Sequence, residues 1–309
     1  MLKSKVLKLG ATIGVIAPSS PTTDENVKKA EETLKNMGFK VKMGRSVFER
    51  HGYLAGSDDV RACDINSMFE DKEVDGIICI RGGYGTPRIL DKIDYEIIRN
   101  NPKVFVGYSD ITALHIAFNQ IAGLVTFHGP MAASDMIRNF SSFSKEYLFK
   151  AIMDNKPMGK IFNPEGEEII TINGGKAEGT IIGGNLCLIA DTIGTPYEID
   201  VKGKILFIEE VEEEPYRIDR MLNQLRLSGK LNEAEAIILG DFNKCNAKNP
   251  NESLTLEQVI DDYFKPLNKP VIYNLQAGHC KPMVTIPFGV KARLDADKKE
   301  LTILENAVE

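Results

Sequence analysis

Val104-Phe-Val-Gly-Tyr-Ser109-Asp-Ile-Thr-Ala-Leu114 passes from three apolar residues, through a Gly-x-Ser turn, into a helical pattern. An apolar run without polar alternation predicts a strand covered on both faces, as in a parallel sheet. The turn lifts the serine hydroxyl at the carboxyl end of that strand, where α/β folds place their ligand sites. The helix behind it starts with backbone N–H groups that have no intrahelical acceptor, that of Asp110 nearest. Position 111 is Ile where G-x-S-x-G has its second Gly. The same stretch therefore also reads as a serine N-cap that opens an ordinary helix.

The pattern around it repeats. Strands are predicted at Ala11–Ala17, Phe39–Met43, Asp75–Ile80, Val104–Gly107 and Leu124–Phe127. Helices fall between them. One carries Val27, Ala30, Leu34 and Met37 and stops at Gly38, one runs from a Ser57 cap to Phe69, and one spans Asp110 to Ile121. Such alternation predicts an α/β fold, a parallel sheet covered by helices. Residues 141–178 hold Asn155-Lys-Pro157 and Pro164-Glu-Gly-Glu-Glu168 and read as a connector, with helix near Tyr147–Met153. Strands and helices restart at Gly179. The tail from Met283 to Leu304 reads as antiparallel β. The expected division is 1–140 for the domain with the serine, 141–178 for the connector, and 179–309 for a second domain.

Composition narrows the function. The 309 residues suit two domains, and 43% hydrophobic with 27% charged residues fits a globular chain. The net charge of −6 comes without any basic block, which argues against nucleic-acid binding. No run approaches the length of a membrane span. Leu9–Ala17 is short, is interrupted by glycines, and leads into a helix, so it reads as a first strand and not a cleaved leader. The five cysteines are scattered with no C-x-x-C pair, which points to small buried hydrophobes in a reducing compartment and away from structural zinc.

Three further motifs carry chemistry. Ile80-Arg-Gly-Gly-Tyr-Gly85 also follows a buried strand. It lacks the Lys-Ser/Thr of a P-loop, and reads better as a second source of oxyanion-binding N–H groups beside Ser109. Lys204-Ile-Leu-Phe-Ile-Glu209 ends an apolar strand in a carboxylate, which requires a partner there. Glu210 adjoins it, and neighbours on one strand point to opposite faces. Asn274-Leu-Gln-Ala-Gly-His279-Cys-Lys-Pro282 places a histidine in a loop after a strand. Of the other histidines, His115 falls on a helix, His51 in a polar loop, and His128 at a strand end where it can line a cleft. The chain order Ser109, Glu209, His279 is nucleophile, acid, base, as in α/β-hydrolases, although triads recur in several orders.

These motifs occur together with Phe127-His-Gly-Pro130, Gly183-Gly-Asn-Leu186, Pro215-Tyr-Arg-Ile-Asp-Arg220 and Gly278-His279. Jointly they resemble the LD-carboxypeptidase family of serine peptidases, which includes the microcin C immunity peptidases. The resemblance spans nearly the whole chain. It implies an N-terminal flavodoxin-like domain with the serine and a smaller, swivelling, barrel-like mixed α/β domain with the acid and base, the active site lying between domains. It places the triad on Ser109, Glu209 and His279, with Glu210 an alternative acid, and the oxyanion hole on the backbone of Gly83 and Asp110. Arg81, Tyr84, His128 and Arg217 are candidate substrate-binding residues. No metal or other cofactor is implied. The implied activity is removal of the terminal D-alanine from murein tetrapeptides during cell-wall recycling, by a cytoplasmic homodimer whose partner is a small peptide, with neither nucleic acid nor membrane. Two alternatives stand beside it: an immunity-type amidase that cuts a peptidyl-nucleotide, and a two-domain binding protein without catalysis.

Overall fold

A computed structural model describes residues 1–138 and 140–309. Local signals set many element ends. Thr23 accepts a hydrogen bond from the Asn26 amide at 3.2 Å and opens α1 (Asp24–Asn36), whose buried face is Val27, Ala30 and Leu34. Ser57 does the same for Val60 at 3.3 Å and opens α2 (Asp58–Glu70). Gly38 stops the first of these helices at φ 96°.

The described residues divide into two units. The first comprises Met1–Lys156, Thr285–Gly289 and Asn306–Glu309. Its sheet holds β1 (Thr12–Ile16), β2 (Lys40–Met43), β3 (Gly76–Cys79), β4 (Val104–Gly107) and β5 (Thr126–His128). The spatial order runs β5-β4-β3-β1-β2, all parallel, and β3 and β4 are buried throughout. Short helices α3 (Tyr95–Asn100) and α4 (Thr112–Ala117) flank β4 in sequence. The helix after Ser109 reaches Ala122, one residue past the expected Ile121, and its last turn, Phe118–Ala122, widens to π geometry before Gly123 ends it. A sixth strand, Ile286–Phe288, joins the sheet beyond β5, antiparallel, with Ile286 opposite His128. The tail was expected to pair within itself; its first strand instead leaves for this sheet, because the open edge of β5 offers a full row of unpaired backbone groups. Helix α5 (Ser142–Met153) closes the unit's N-terminal stretch.

The second unit comprises Pro157–Val284 and Val290–Glu305. Its strands are β6 (Gly159–Ile161), β7 (Ile170–Asn173), β8 (Lys176–Asn185), β9 (Lys204–Val211), β10 (Ala236–Asn243) and β11 (Val271–Tyr273). After Ile286–Phe288, which is β12, come β13 (Lys291–Asp295) and β14 (Glu300–Ile303). The stretch 141–178 thus holds α5, β6, β7 and the start of β8, with loops at 154–158 and 162–169 between them. The strand order is β6-β14-β13-β8-β9-β10-β11-β7. The four central strands β8 to β11 are parallel, and antiparallel strands extend the sheet on each side. The expectation of a barrel-like unit is corrected here: among the described residues β6 and β7 are two open edges and the sheet does not close. Helices α6 (Leu186–Asp191), α7 (Pro215–Leu227), α8 (Lys230–Glu233) and α9 (Leu256–Phe264) supply the βα connections of the parallel core. Among the described residues no helix is long and apolar enough to cross a membrane. Cys79, Cys245 and Cys280 are buried as expected of small hydrophobes, whereas Cys63 is exposed.

Candidate active site

The first unit presents a strained serine. β4 ends at Gly107, Tyr108 is extended, and Ser109 takes φ 66°, a left-handed conformation that costs a non-glycine residue about 1–3 kcal/mol. Such strain at a strand-to-helix turn is the nucleophile-elbow geometry. Of the two glycines that make room for it, Gly107 stands where G-x-S-x-G puts its first glycine, and Gly82 comes from another loop. A Cβ on Gly107 would lie 2.9 Å from Ile111 Cγ2, so Ile111 packs against the turn from the other side. A Cβ on Gly82 would lie 3.0 Å from Ser109 Cβ and 3.1 Å from its Oγ. The glycine loop after β3 therefore runs against the serine itself, as adjacent parallel strands predict.

Asp110 ties that loop down through its side chain. Its carboxylate accepts hydrogen bonds from Ser19 Oγ at 2.6 Å, the Thr86 amide at 2.9 Å and the Gly85 amide at 3.2 Å. Thr86 Oγ1 in turn donates to the Asp110 carbonyl. Burial raises the Asp110 carboxyl, and the Ser19 and Thr86 hydrogen bonds pull it back. Arg61 is the second tie. It is wholly buried, donates from Nη1 to the carbonyls of Pro18 at 2.7 Å and Gly85 at 2.8 Å, and pairs with Asp58. From the sequence only the backbone amide of Asp110 carries a signal, and Arg61 carries none. A charged residue on a helix gives no sign of burial until its distant carbonyl partners are in place.

The other candidates of this unit lie close by or inside it. Arg81 donates to the carbonyls of Gly82 at 3.1 Å and Pro21 at 3.3 Å, which fixes it against backbone. Tyr84 anchors its amide on Ser20 Oγ at 3.2 Å and leaves its ring half exposed, edge-on to Tyr53. His128 is fully buried, its ring 5.4 Å from Phe288 and 5.8 Å from Tyr108. His115 is also fully buried and Nε2 contacts the Gly107 carbonyl at 2.8 Å; burial holds its imidazole down at about 4. It is a neutral packing residue that braces the serine turn.

The second unit joins a carboxylate to a histidine. Glu209, near the end of β9, is fully buried, and His279 Nδ1 lies 2.6 Å from its Oε2. The partner that a buried carboxylate demands is thus the loop histidine. Gly278 makes the approach possible: it takes φ 113°, and a Cβ there would lie 2.6 Å from Glu209 Oε2. Asn243 Nδ2 donates to the His279 carbonyl at 2.7 Å and holds the loop from β10. Glu210 turns to the other face. It accepts from Asn185 Nδ2 and the Val211 amide at 2.8 Å each and from the Cys187 amide at 2.9 Å, and burial pushes its carboxyl up to about 7. Arg217, at the start of α7, pairs with Glu213 at 3.5 Å and contacts the Tyr216 hydroxyl.

A serine on a strained turn and a histidine held by a buried carboxylate are the parts of a serine hydrolase. The comparisons with known proteins agree. Residues 13–129 match the model of the LD-carboxypeptidase N-terminal domain, and residues 178–294 that of the LD-carboxypeptidase C-terminal domain. The probable murein peptide carboxypeptidase of Bacillus subtilis (strain 168) is 44% identical over 305 residues, covering 97% of this chain and 94% of that protein. Among solved structures, MccF in complex with glutamyl sulfamoyl guanosine is similar with a TM-score of 0.92 and 25% identity, covering 100% of both chains. The muramoyltetrapeptide carboxypeptidase from Oxalobacter formigenes is similar with a TM-score of 0.85 and 31% identity, covering 96% of this chain and 99% of that one. The chain belongs to the LD-carboxypeptidase family, and is a hydrolase of the peptidase class. A two-domain binding protein without catalysis is thereby set aside.

Proposed function

We propose that this enzyme removes the terminal D-alanine from murein tetrapeptides through a Ser109–His279–Glu209 triad and an acyl-enzyme. The observation that carries the proposal is the 2.6 Å contact of His279 Nδ1 with Glu209 Oε2. An Nδ1–H donated to the carboxylate leaves Nε2 with its lone pair, the tautomer a general base needs. In the first step His279 takes the Ser109 proton while Oγ attacks the carbonyl of the L-configured centre. The tetrahedral oxyanion is held by the backbone N–H groups of Gly83 and Asp110. Its collapse breaks the amide bond, and His279 passes its proton to the departing D-alanine nitrogen. Water, deprotonated by the same imidazole, then cleaves the ester and restores the serine.

The test is release of D-alanine from a purified tetrapeptide, followed with and without Ser109→Ala. Absence of release by the unsubstituted enzyme sinks the substrate assignment, and persistent turnover in the variant sinks the nucleophile. Recycling in the cytoplasm and a homodimeric state belong to the same proposal; light scattering of the purified protein tests the latter. A second reading is the immunity-type amidase, favoured by the TM-score of 0.92 with MccF. The 44% identity to a probable murein peptide carboxypeptidase favours the first. Offering a tetrapeptide and a peptidyl sulfamoyl nucleoside side by side separates them.

A further inference from the structure

One carboxyl beside the acid–base pair has no part in the mechanism above. β9 and β10 are in register at Leu239 with Ile208 and again at Phe242 with Glu210, so Gly240 and Asp241 together stand opposite the single residue Glu209. This is a β-bulge, a device that re-aims a side chain and is frequent beside active sites. Its first residue must be glycine, since a Cβ on Gly240 would lie 2.6 Å from the Ala277 carbonyl. The Asp241 amide donates to that same carbonyl at 3.1 Å, two residues before His279. The bulge thus grips the histidine loop and sets a carboxyl next to Glu209. Asp241 Oδ2 and Glu209 Oε1 are both buried and have no hydrogen-bond partner among the described residues.

Asp241 is half-buried with one oxygen shut off from water, and a carboxyl so placed holds its proton more readily. Burial, then the negative charge of Glu209, raises the Asp241 carboxyl to about 6, while His279 draws it down. Glu167 also raises it, and Asn243 lowers it through a hydrogen bond. The remaining titratable neighbours, Tyr273 and Cys245, are each pushed up to about 12 and stay neutral over the working range.

We propose that Asp241 is a positioning residue for the Glu209–His279 pair: its carboxylate adds a second negative charge that holds the proton on His279, and its bulge fixes the loop that carries the imidazole. Protonation of Asp241 withdraws that support and makes His279 a weaker base. The proposal deepens the reading of His279 as the general base, and its test does not depend on turnover. The four histidines of the full chain, in the Ser109→Ala background, are labelled with ¹⁵N and titrated by NMR, with His279→Gln assigning the signal. Asp241→Asn is expected to lower the His279 midpoint by about half a pH unit or more, as loss of a nearby opposite charge requires. Asp241→Glu, which keeps the charge, is expected to restore it. Coincident midpoints in the parent and Asp241→Asn, or a rise, overturn the proposal. Asp241→Ser serves as a second neutral variant, read the same way, should Asp241→Asn not give a folded spectrum. In the active enzyme the acid limb of kcat/KM moves with the same midpoint. Absence of D-alanine release would remove the substrate reading and leave the NMR result standing.

Discussion

His279 Nδ1 lies 2.6 Å from Glu209 Oε2 across 70 residues of sequence. Gly278 is what brings them together, because a methyl group there would occupy the carboxylate's place. Gly278→Ala adds both a clash and a forced left-handed conformation. It is expected to lower stability by about 2 kcal/mol or more and to abolish measurable turnover. Urea unfolding beside an activity assay checks this; an active Gly278→Ala enzyme would contradict it.

The strain at Ser109 predicts a trade between stability and function. Ser109→Gly removes a positive-φ penalty along with the nucleophile. It should raise the unfolding free energy by about 1 kcal/mol while ending D-alanine release. Ser109→Ala ends release without that gain, since alanine is strained there too. The comparison needs only denaturation midpoints of the three proteins.

The neighbouring glutamates should separate cleanly. Glu209→Gln leaves the imidazole in the wrong tautomer and is expected to lower kcat by about 10³- to 10⁴-fold. Glu210→Gln should leave kcat unchanged and alter only stability with pH. The Glu210 carboxyl is raised from 4.5 to about 7, so the folded protein holds its proton more tightly than the unfolded chain. Its contribution, about 3 kcal/mol, is present below pH 4.5 and lost as pH rises through 7. Glu210→Gln should flatten the unfolding free energy between those limits, and a slope that persists would refute the assignment.

His115 runs the opposite way. Its imidazole is held down from 6.5 to about 4, so the unfolded chain takes the proton first as pH falls. Stability present above pH 6.5 is lost as pH drops through 4, by about 3 kcal/mol. His115→Gln should remove this acid-side slope in melts recorded from pH 7 to pH 4.

Asp110→Ala removes acceptors for Ser19, Gly85 and Thr86 together. Stranding these buried donors should lower stability by about 2–4 kcal/mol. Amide exchange at Gly85 and Thr86 should quicken before the rest of the first unit responds. Uniform exchange across that unit would show that the loop is held by other means.

The elements built from near neighbours in sequence were legible beforehand. The Gly-x-Ser turn, the cap at Ser57, and the parallel strands from β1 to β5 depend on residues a few positions apart, whose types dictate backbone conformation. The candidate pair was legible as two residue types in fitting contexts, a carboxylate ending an apolar strand and a histidine in a glycine-flanked loop. Tertiary structure alone decided the rest. Ile286–Phe288 joins β5 because an open sheet edge accepts any strand of suitable pattern, and sequence does not say which edge will be near. Glu209 meets His279 while Glu210 meets Asn185, because alternation along β9 assigns opposite faces without naming what covers each. Arg61, Asp110 and Asp241 owe their places to partners 24 to 91 residues away or to a bulge set by a neighbouring strand. Such roles are properties of register and packing, and they come into being only once the strands are paired.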